Sequence, residues 1–556
     1  MVLDRPRQGH GQLFIVTGPH CTPECHDEDC RTGGTPPDDH DKLPPTARIT
    51  TFAGSGGGPL LMAWLGQERV FDGGDSYENW IPPPATALTT MNGHGRMSTY
   101  DARSGVSGYD WDVDGASIVS GGSSSSCTIE FDTLGIARVE LTVTDSNGIE
   151  GKRRLYVRVV ERPHLGTPPD VPIANAELVG LSGAMTGSGW GGYRGTVVIH
   201  GPAPETFRRG QMICAYHENT YDGVLFEGEV FSGFVVGVSA TDSAVNEQTT
   251  LEIATAEAFF AQRGVDCSDF GLINDSLAAA FGVTSVATPR ESFPWFLTWG
   301  LHWLPRLTVG ILLHHVLRYH IHVRIGSERY PATEIVNVVR EWWQDWDDAG
   351  DDEVFAFNMP RGSAMGSLAA ALPNGAWAGF CDRHSTLTAV RLQPAKPTAD
   401  ASLATIDRTS CLGPIELLDG DDRPVRAVAV TPAPPALVSA TSVPLPSFTV
   451  LYPPSPSGGG GLDISRINVW VATEAAAARV AEARYRVLNA TKGARVTLPG
   501  VTATLHNVLR LTASGGRFTW TNKRFYVIAE RVERDATAYG MLRQTLELRE
   551  VDGDEE

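Results

Sequence analysis

The sequence predicts a mainly β, multidomain protein with a helical middle region. Three observations predict it. Short runs of alternating apolar and polar residues recur along the chain, as in Val139, Leu141 and Val143 set against Glu140, Thr142 and Thr144. The 59 glycines and 36 prolines are dispersed between such runs, where turns would fall. Finally, 556 residues exceed what a single hydrophobic core usually serves, which implies several domains.

Bulk properties narrow the function. Hydrophobic residues make up 42% of the chain and charged residues 20%, an ordinary globular balance. A formal net charge of -20 argues against a sequence-specific nucleic-acid partner, because phosphate contacts need clustered Lys and Arg. The apolar run Leu13–Thr17 is too short for the hydrophobic part of a signal peptide. The stretch Leu307–Val323 is interrupted by His314, His315, Arg318, His320 and His322, so no membrane anchor is expected. Of the eight cysteines, Cys127, Cys214, Cys267, Cys381 and Cys411 are scattered singly, the usage of reduced thiols in a protein made in a cytosol.

Residues 1–45 are polar and rich in Pro and Gly, centred on "HCTPECHDEDC". His20, Cys21, Cys25, His26 and Cys30 are candidate metal ligands, since thiolates and imidazoles at short intervals can close around a tetrahedral zinc ion. An iron–sulfur cluster with a fourth ligand from elsewhere is the alternative occupant, and a tail with incidental cysteines the bland reading.

Residues 46–162 hold "YDWDVDG" (Tyr109–Gly115), which begins like a calcium loop. Asp110, Asp112, Asp114 and Gly115 fit the first, third, fifth and sixth positions, but the twelfth is Gly121 where a bidentate carboxylate is required. Trp111 and Val113 alternate with the aspartates, which is a strand. Downstream, "DSNG" (Asp145–Gly148) is a turn and Arg154–Val160 a second alternating strand.

This order of pieces resembles a PKD domain, an immunoglobulin-like β-sandwich. Phe71, Asp72, Gly73 and Ser76 match its first motif, with Gly74 and Asp75 as departures. Tyr109, Trp111, Asp112, Asp114 and Gly115 match the second, and Gly135, Val139, Leu141, Val143, Thr144, Asp145 and Gly148 the third. The resemblance spans about Arg48–Glu161, and the long insert Glu78–Gly105 departs from it. The resemblance makes the opening motif part of a sandwich core.

Residues 163–173 read as a stiff Pro-rich linker, and 174–260 as β structure again, from the strand Gly195–Gly201 to a helix start near Phe260. Residues 261–395 read as helical and loop-rich. Leu307, Ile311, His314, His315 and Arg318 are spaced for one helix, and Ile335, Val338, Val339 and Trp342 for a second over Thr333–Trp346. Residues 396–556 begin with Pro- and Gly-rich loops and end in strands over Val508–Val551.

Two segments echo each other. Gly233–Glu257 and Arg524–Glu550 each run from an apolar strand through a charged turn into a second strand. Thr250, Leu251, Glu252 and Ile253 correspond to Thr545, Leu546, Glu547 and Leu548. Paired small β-barrels around a helical middle resemble the tail hub proteins of bacteriophages and related contractile injection systems. The resemblance implies a structural virion subunit in the tail tip or baseplate, a homotrimeric ring joining the tail tube to the central spike. It also implies tail-tube, spike and other tip proteins as partners, assembly in a host cytoplasm, and the PKD-like unit as an outer decoration. A secreted or cell-surface adhesin carrying a PKD-like domain, or a tail-associated lysin, is the alternative.

Elsewhere the residues carry no reaction. His314 and His315 are successive on a helix and point to different sides, and no H-E-x-x-H is present, so the histidines read as structural. Cys381 and His384 lack a second pair of ligands. Trp342, Trp343 and Trp346 beside the carboxylates of Glu341–Glu353 read as packing against a solvated acidic end. The glycine-rich stretch Gly187–Gly192 lacks the lysine and helix of a phosphate loop. No catalytic or cofactor-binding residue is expected, and the chain reads as a non-enzyme.

Overall fold

The computed structural model describes residues 9–25, 44–51, 57–77, 106–146, 148–162, 176–185, 190–200, 207–221, 224–243, 246–261, 270–274, 301–304, 309–340, 356–359, 364–371, 377–391, 405–419, 425–432, 448–454, 464–469, 474–489, 492–501, 503–515, 518–534 and 542–551. Strand β1, Gly9–Cys25, opens the chain. Eight strands follow: β2 Thr50–Thr51, β3 Leu60–Trp64, β4 Gln67–Asp72, β5 Val106–Asp114, β6 Ser117–Ser120, β7 Ser126–Phe131, β8 Gly135–Asp145 and β9 Glu150–Val160. They form two four-stranded sheets, ordered β2-β4-β7-β6 and β3-β9-β8-β5. Phe71, Trp111, Ile129, Phe131, Val139, Leu141 and Val157 from both sheets share one core. Trp111 lies in that core with its indole nitrogen donating to Ser124 O at 2.8 Å. Asp112 and Asp114 alternate with it on the exposed face, and Asp112 pairs with Arg138.

The next six elements are β10 Ala176–Ala184, β11 Trp190–His200, β12 Gln211–Tyr221, β13 Val224–Ser243, β14 Asn246–Ala254 and helix α1 Ala256–Phe260. Strand pairing gives the order β10-β11-β14-β13-β12-β1. This first sheet is covered on both faces, which explains its apolar runs. Along β1, Phe14 and Val16 enter one core while Ile15 enters the other. Along β12, Met212, Cys214 and Tyr216 alternate in the same way with Ile213 and Ala215.

The middle of the chain contributes β15 Phe270–Asn274, β16 Leu301–Leu304, α2 Val309–His315, a π-helical turn Val316–His320, β17 Ile321–Ile325, β18 Glu328–Pro331, α3 Ala332–Ile335, β19 Val338–Arg340, β20 Ala356–Met359, α4 Ala364–Ala371, β21 Trp377–Cys381 and β22 Leu387–Arg391. It is less helical than its residue spacing suggests. The helix expected over Leu307–Val323 stops at a π turn, because Ile321–Ile325 extends to pair with Cys21–Cys25 of β1. The helix expected over Thr333–Trp346 is one turn, after which Val338–Arg340 pairs in parallel with β22. Trp342, Trp343 and Trp346 lie outside the described residues.

The last part holds β23 Thr405–Ile406, β24 Glu416–Asp419, β25 Ala427–Pro432, β26 Val450–Tyr452, β27 Ile464–Val469, α5 Glu474–Asn489, β28 Lys492–Pro499, β29 Val508–Gly515, β30 Phe518–Arg534 and β31 Leu542–Glu550. Ala476, Ala477, Val480 and Ala481 of α5 pack on Val428 and Val430 of the small sheet β26-β25-β27. The second large sheet has the order β24-β28-β31-β30-β29-β23.

Neither large sheet closes into a barrel among the described residues. Residues of both sheets nevertheless belong to one hydrophobic cluster. Val197, Ile213, Phe231 and Leu251 of the first sheet share a core with Val496, Leu511, Phe525 and Leu546 of the second.

Candidate functional site

The two large sheets are copies of one pattern. Strands β11, β14, β13 and β12 are ordered and directed as β28, β31, β30 and β29 are. The match holds residue by residue. Between β13 and β14 the register slips after Val235–Ile253 and resumes at Gly237–Glu252. Between β30 and β31 it slips after Val527–Leu548 and resumes at Ala529–Glu547. Each bulge thus falls at the boundary between the last two residues of the T-L-E-[IL] echo, and it bends the long strand at the same point. Flanking strands agree as well: β10 runs antiparallel to β11, as β24 does to β28.

The copies are joined edge to edge. Beyond Tyr526, β30 leaves β29 behind, and its vacated edge is taken by β10, with Leu181 opposite Val532, Ser182 opposite Arg531, Gly183 opposite Glu530 and Ala184 opposite Ala529. Met185 N continues the ladder to Ile528 O at 2.9 Å.

Buried polar groups lock this joint. Glu530, 2% exposed, forms an ion pair with Arg383, whose Nε lies 3.1 Å away, and accepts from Gln544 Nε2 at 2.7 Å and from the Tyr193 hydroxyl. Arg383 also donates to Val230 O at 3.3 Å and Ala503 O at 3.1 Å. First sheet, middle hairpin and second sheet therefore meet on one carboxylate. Burial raises the Glu530 pKa and carries the Tyr193 hydroxyl well above the ordinary phenol range, while Arg383 opposes the rise at Glu530.

Beside the joint is a cleft of about 900 Å³ lined by Gly183, Trp190, Gly192, Glu257, Met365 and Glu530, among others. A Cβ at Gly192 would lie 1.9 Å from Glu257 Oε1, so any larger residue there would displace the Glu257 carboxyl. Burial raises the Glu257 carboxyl to about 7, and its Oε2 has no hydrogen-bond partner among the described residues.

A second contact fixes the N-terminal pair of sheets to this body. Arg69 Nη1 of β4 lies 2.7 Å from Glu229 Oε1 of β13, with side chains 13% and 3% exposed. Burial would raise the Glu229 pKa, but Arg69 overrides it and holds the carboxyl below its usual range. Ser232 Oγ donates to Leu60 O at 2.6 Å and accepts from Leu60 N at 3.2 Å. Arg153 of β9, with no exposed surface, reaches Asn337 Oδ1 at 3.0 Å and Gly57 O at 2.8 Å; burial lowers its pKa to about 9. Asn337 donates in turn to Ile49 O at 2.8 Å and accepts from Ile49 N at 3.2 Å. The unit is fixed to the body through these buried contacts. None of Arg69, Arg153, Ser232, Asn337 or Glu530 stood out in the sequence, since each has a partner well over a hundred residues away.

The candidate metal ligands divide. His20 is exposed, its Nε2 2.9 Å from Arg209 O, whereas its neighbour Cys21 faces the core and burial raises its thiol pKa. Consecutive strand residues point to opposite faces, so the two are not presented to a common point. The Cys25 side chain, His26 and Cys30 lie outside the described residues. Among the described residues no group of three His, Cys, Asp or Glu side chains could hold a metal ion. His314 is structural, its ring nitrogens 3.2 Å from Thr46 Oγ1 and 2.9 Å from the Tyr77 hydroxyl. His384 is buried in the β21–β22 turn, and burial lowers its pKa. No described helix is long and apolar enough to cross a membrane.

No family model matches the chain, and no curated protein matches it. Solved structures it is similar to include phage-tail and secretion-system proteins. One is the tail protein from Neisseria meningitidis MC58, at 11% identity and a TM-score of 0.38 over 68% of this chain and 92% of that one. Another is the 43 kDa tail protein of prophage MuSo2 from Shewanella oneidensis, at 10% identity and a TM-score of 0.38 over 67% and 94%. A third is prophage tail protein gp18 from Listeria monocytogenes EGD-e, at 7% identity and a TM-score of 0.36 over 68% and 89%.

Proposed function

We propose that the chain is a structural subunit of a phage tail tip or baseplate hub, which assembles as a homotrimeric ring between the tail tube and the central spike. The observation that carries this reading is the duplicated sheet. A chain with two copies of one sheet, joined side by side, presents twice as many like units as it has subunits, and a threefold ring of such chains offers near-sixfold symmetry to a tube. The work is done by assembly, through backbone edges and a rigid joint, and not by a reacting group. In this reading the sheets of 46–162 are the PKD-like sandwich, and their buried anchors make them a fixed wall of the ring.

The test is fractionation of a producing culture by sedimentation, with this chain followed by mass spectrometry. Recovery in very large particles with tube and spike proteins, at low copy number, supports the hub. Recovery only as a free or cell-surface species overturns it and favours the adhesin. The purified full chain is expected to be trimeric by native mass spectrometry.

A further inference from the structure

Among the described residues, the duplication leaves one half of a joint unfilled. Between β11 and β14, and between β28 and β31, Thr196 and Arg495 occupy the same place opposite Glu252 and Glu547. Carried into the flanking strands, the correspondence sets Leu181 of β10 against Leu417 of β24, Ser182 against Leu418, and Gly183 against Asp419. Carried along the long strands, it sets Glu530, Arg531 and Val532 of β30 against Val238, Ser239 and Ala240 of β13.

In the second sheet the vacated edge of β30 is filled by β10. In the first sheet the same edge has no partner strand among the described residues. β12 leaves β13 at Phe234, Gly210 N caps Val235 O at 2.7 Å, and beyond that point no described residue pairs with this side of β13. Val238, Ser239 and Ala240 are exposed, Val238 at 42%. β24, the counterpart of β10, is likewise unpaired on its outer side among the described residues, and exposed Leu412 precedes it. An open strand edge with apolar side chains is a template for another chain.

Resting on the ring reading, we infer that β24 of one chain fills the open edge of β13 in a second copy. The pairing is antiparallel, with Leu417 opposite Ala240, Leu418 opposite Ser239 and Asp419 opposite Val238. The occupant is a second copy because the chain itself shows how this edge is filled, in the same register, at β10–β30. The contact is head to tail, so it builds a ring where the rotation closes. The two kinds of joint differ chemically. Glu530, held by Arg383 and Gln544, locks the joint within the chain, whereas Val238 stands in its place between chains and Thr249 in the place of Gln544. The joint between subunits thus lacks the buried carboxylate and is the one that opens first.

Paired cysteines test the register in the full-length chain. Leu417→Cys with Ala240→Cys, and Leu418→Cys with Ser239→Cys, are each oxidised mildly and compared with the four single variants on non-reducing gels. At least one double variant is expected to give covalent multimers, about 10-fold above either single variant, because pairing holds the thiols at millimolar effective concentration. An oligomer by light scattering with no such multimers in either double variant overturns the joint and leaves the ring standing. A monomer overturns both. As a second measurement, Ser239→Lys with Ala240→Lys, at exposed positions, is expected to disperse the oligomer while the chain keeps a folded circular-dichroism spectrum. A dispersed and unfolded protein, or an intact oligomer, contradicts the proposal.

Discussion

Arg69→Ala isolates the contact that fixes the N-terminal sheets to the body. Arg69 and Glu229 meet at 2.7 Å with 13% and 3% of their side chains exposed, so neither charge has an alternative in water. Removing the guanidinium leaves the carboxylate buried and unpaired, which costs about 3–5 kcal/mol. At 1.36 kcal/mol per factor of ten, the lower figure is on the order of 100-fold in the opening equilibrium. Amide exchange in the intact chain reads this locally. Exchange across β4 and the facing part of β13 is expected to quicken about 100-fold or more, while the β28–β31 amides hold their rates. Arg69→Met with Glu229→Leu removes both charges and is expected to restore most of the protection. A single variant within about 3-fold of the parent would refute the reasoning, since it would mean that water already reaches the pair.

Further outcomes follow from the same geometry. The Glu257 carboxyl titrates at about 7 when folded and near 4.5 when unfolded. The unfolded chain therefore releases that proton first, and stability falls as pH rises from 4.5 to 7, by about 3 kcal/mol on the linkage relation. Glu257→Gln should remove that fall, so that denaturation midpoints of variant and parent diverge at pH 8 and converge at pH 4. Asn337→Ala strips the Arg153 guanidinium and the Ile49 backbone of one buried partner, and should cost about 2–3 kcal/mol by denaturant titration, with Asn337→Asp no rescue. The zinc proposed for the Cys/His run is tested by metal analysis of the purified chain. Cys21→Ser should leave its metal content unchanged because that thiol faces the core, whereas Cys25→Ser with Cys30→Ser should abolish it.

The duplication was legible in four residues of sequence because a T-L-E-[IL] strand must alternate its faces: Leu251 and Leu546 enter the shared core while Glu252 and Glu547 stay outside it. The alternation around Trp111 and Leu141 was legible for the same reason. The Gly9–Cys25 strand was not, since a strand buried on both faces has no two-residue period, and its partners lie near residues 215 and 323. Chain spacing at Thr333–Trp346 imitated a helix because Ile335, Val336 and Val338 are all fully buried, which hides any period. The helix Glu474–Asn489 was missed although its Ala, Glu and Arg content is strongly helix-forming; the Pro- and Gly-rich surroundings masked it. The joint itself was out of reach. Glu530, Arg383 and Tyr193 are unremarkable residues that gain meaning only when three distant segments bring them onto one carboxylate.

End-on electron cryomicroscopy of the purified full-length assembly tests the central claim most directly. The account predicts a closed threefold ring with two like lobes from each chain, the lobes joined alternately by β10 on β30 and by β24 on β13. A monomer, or a two-fold dimer in which the same patch meets itself, would contradict it.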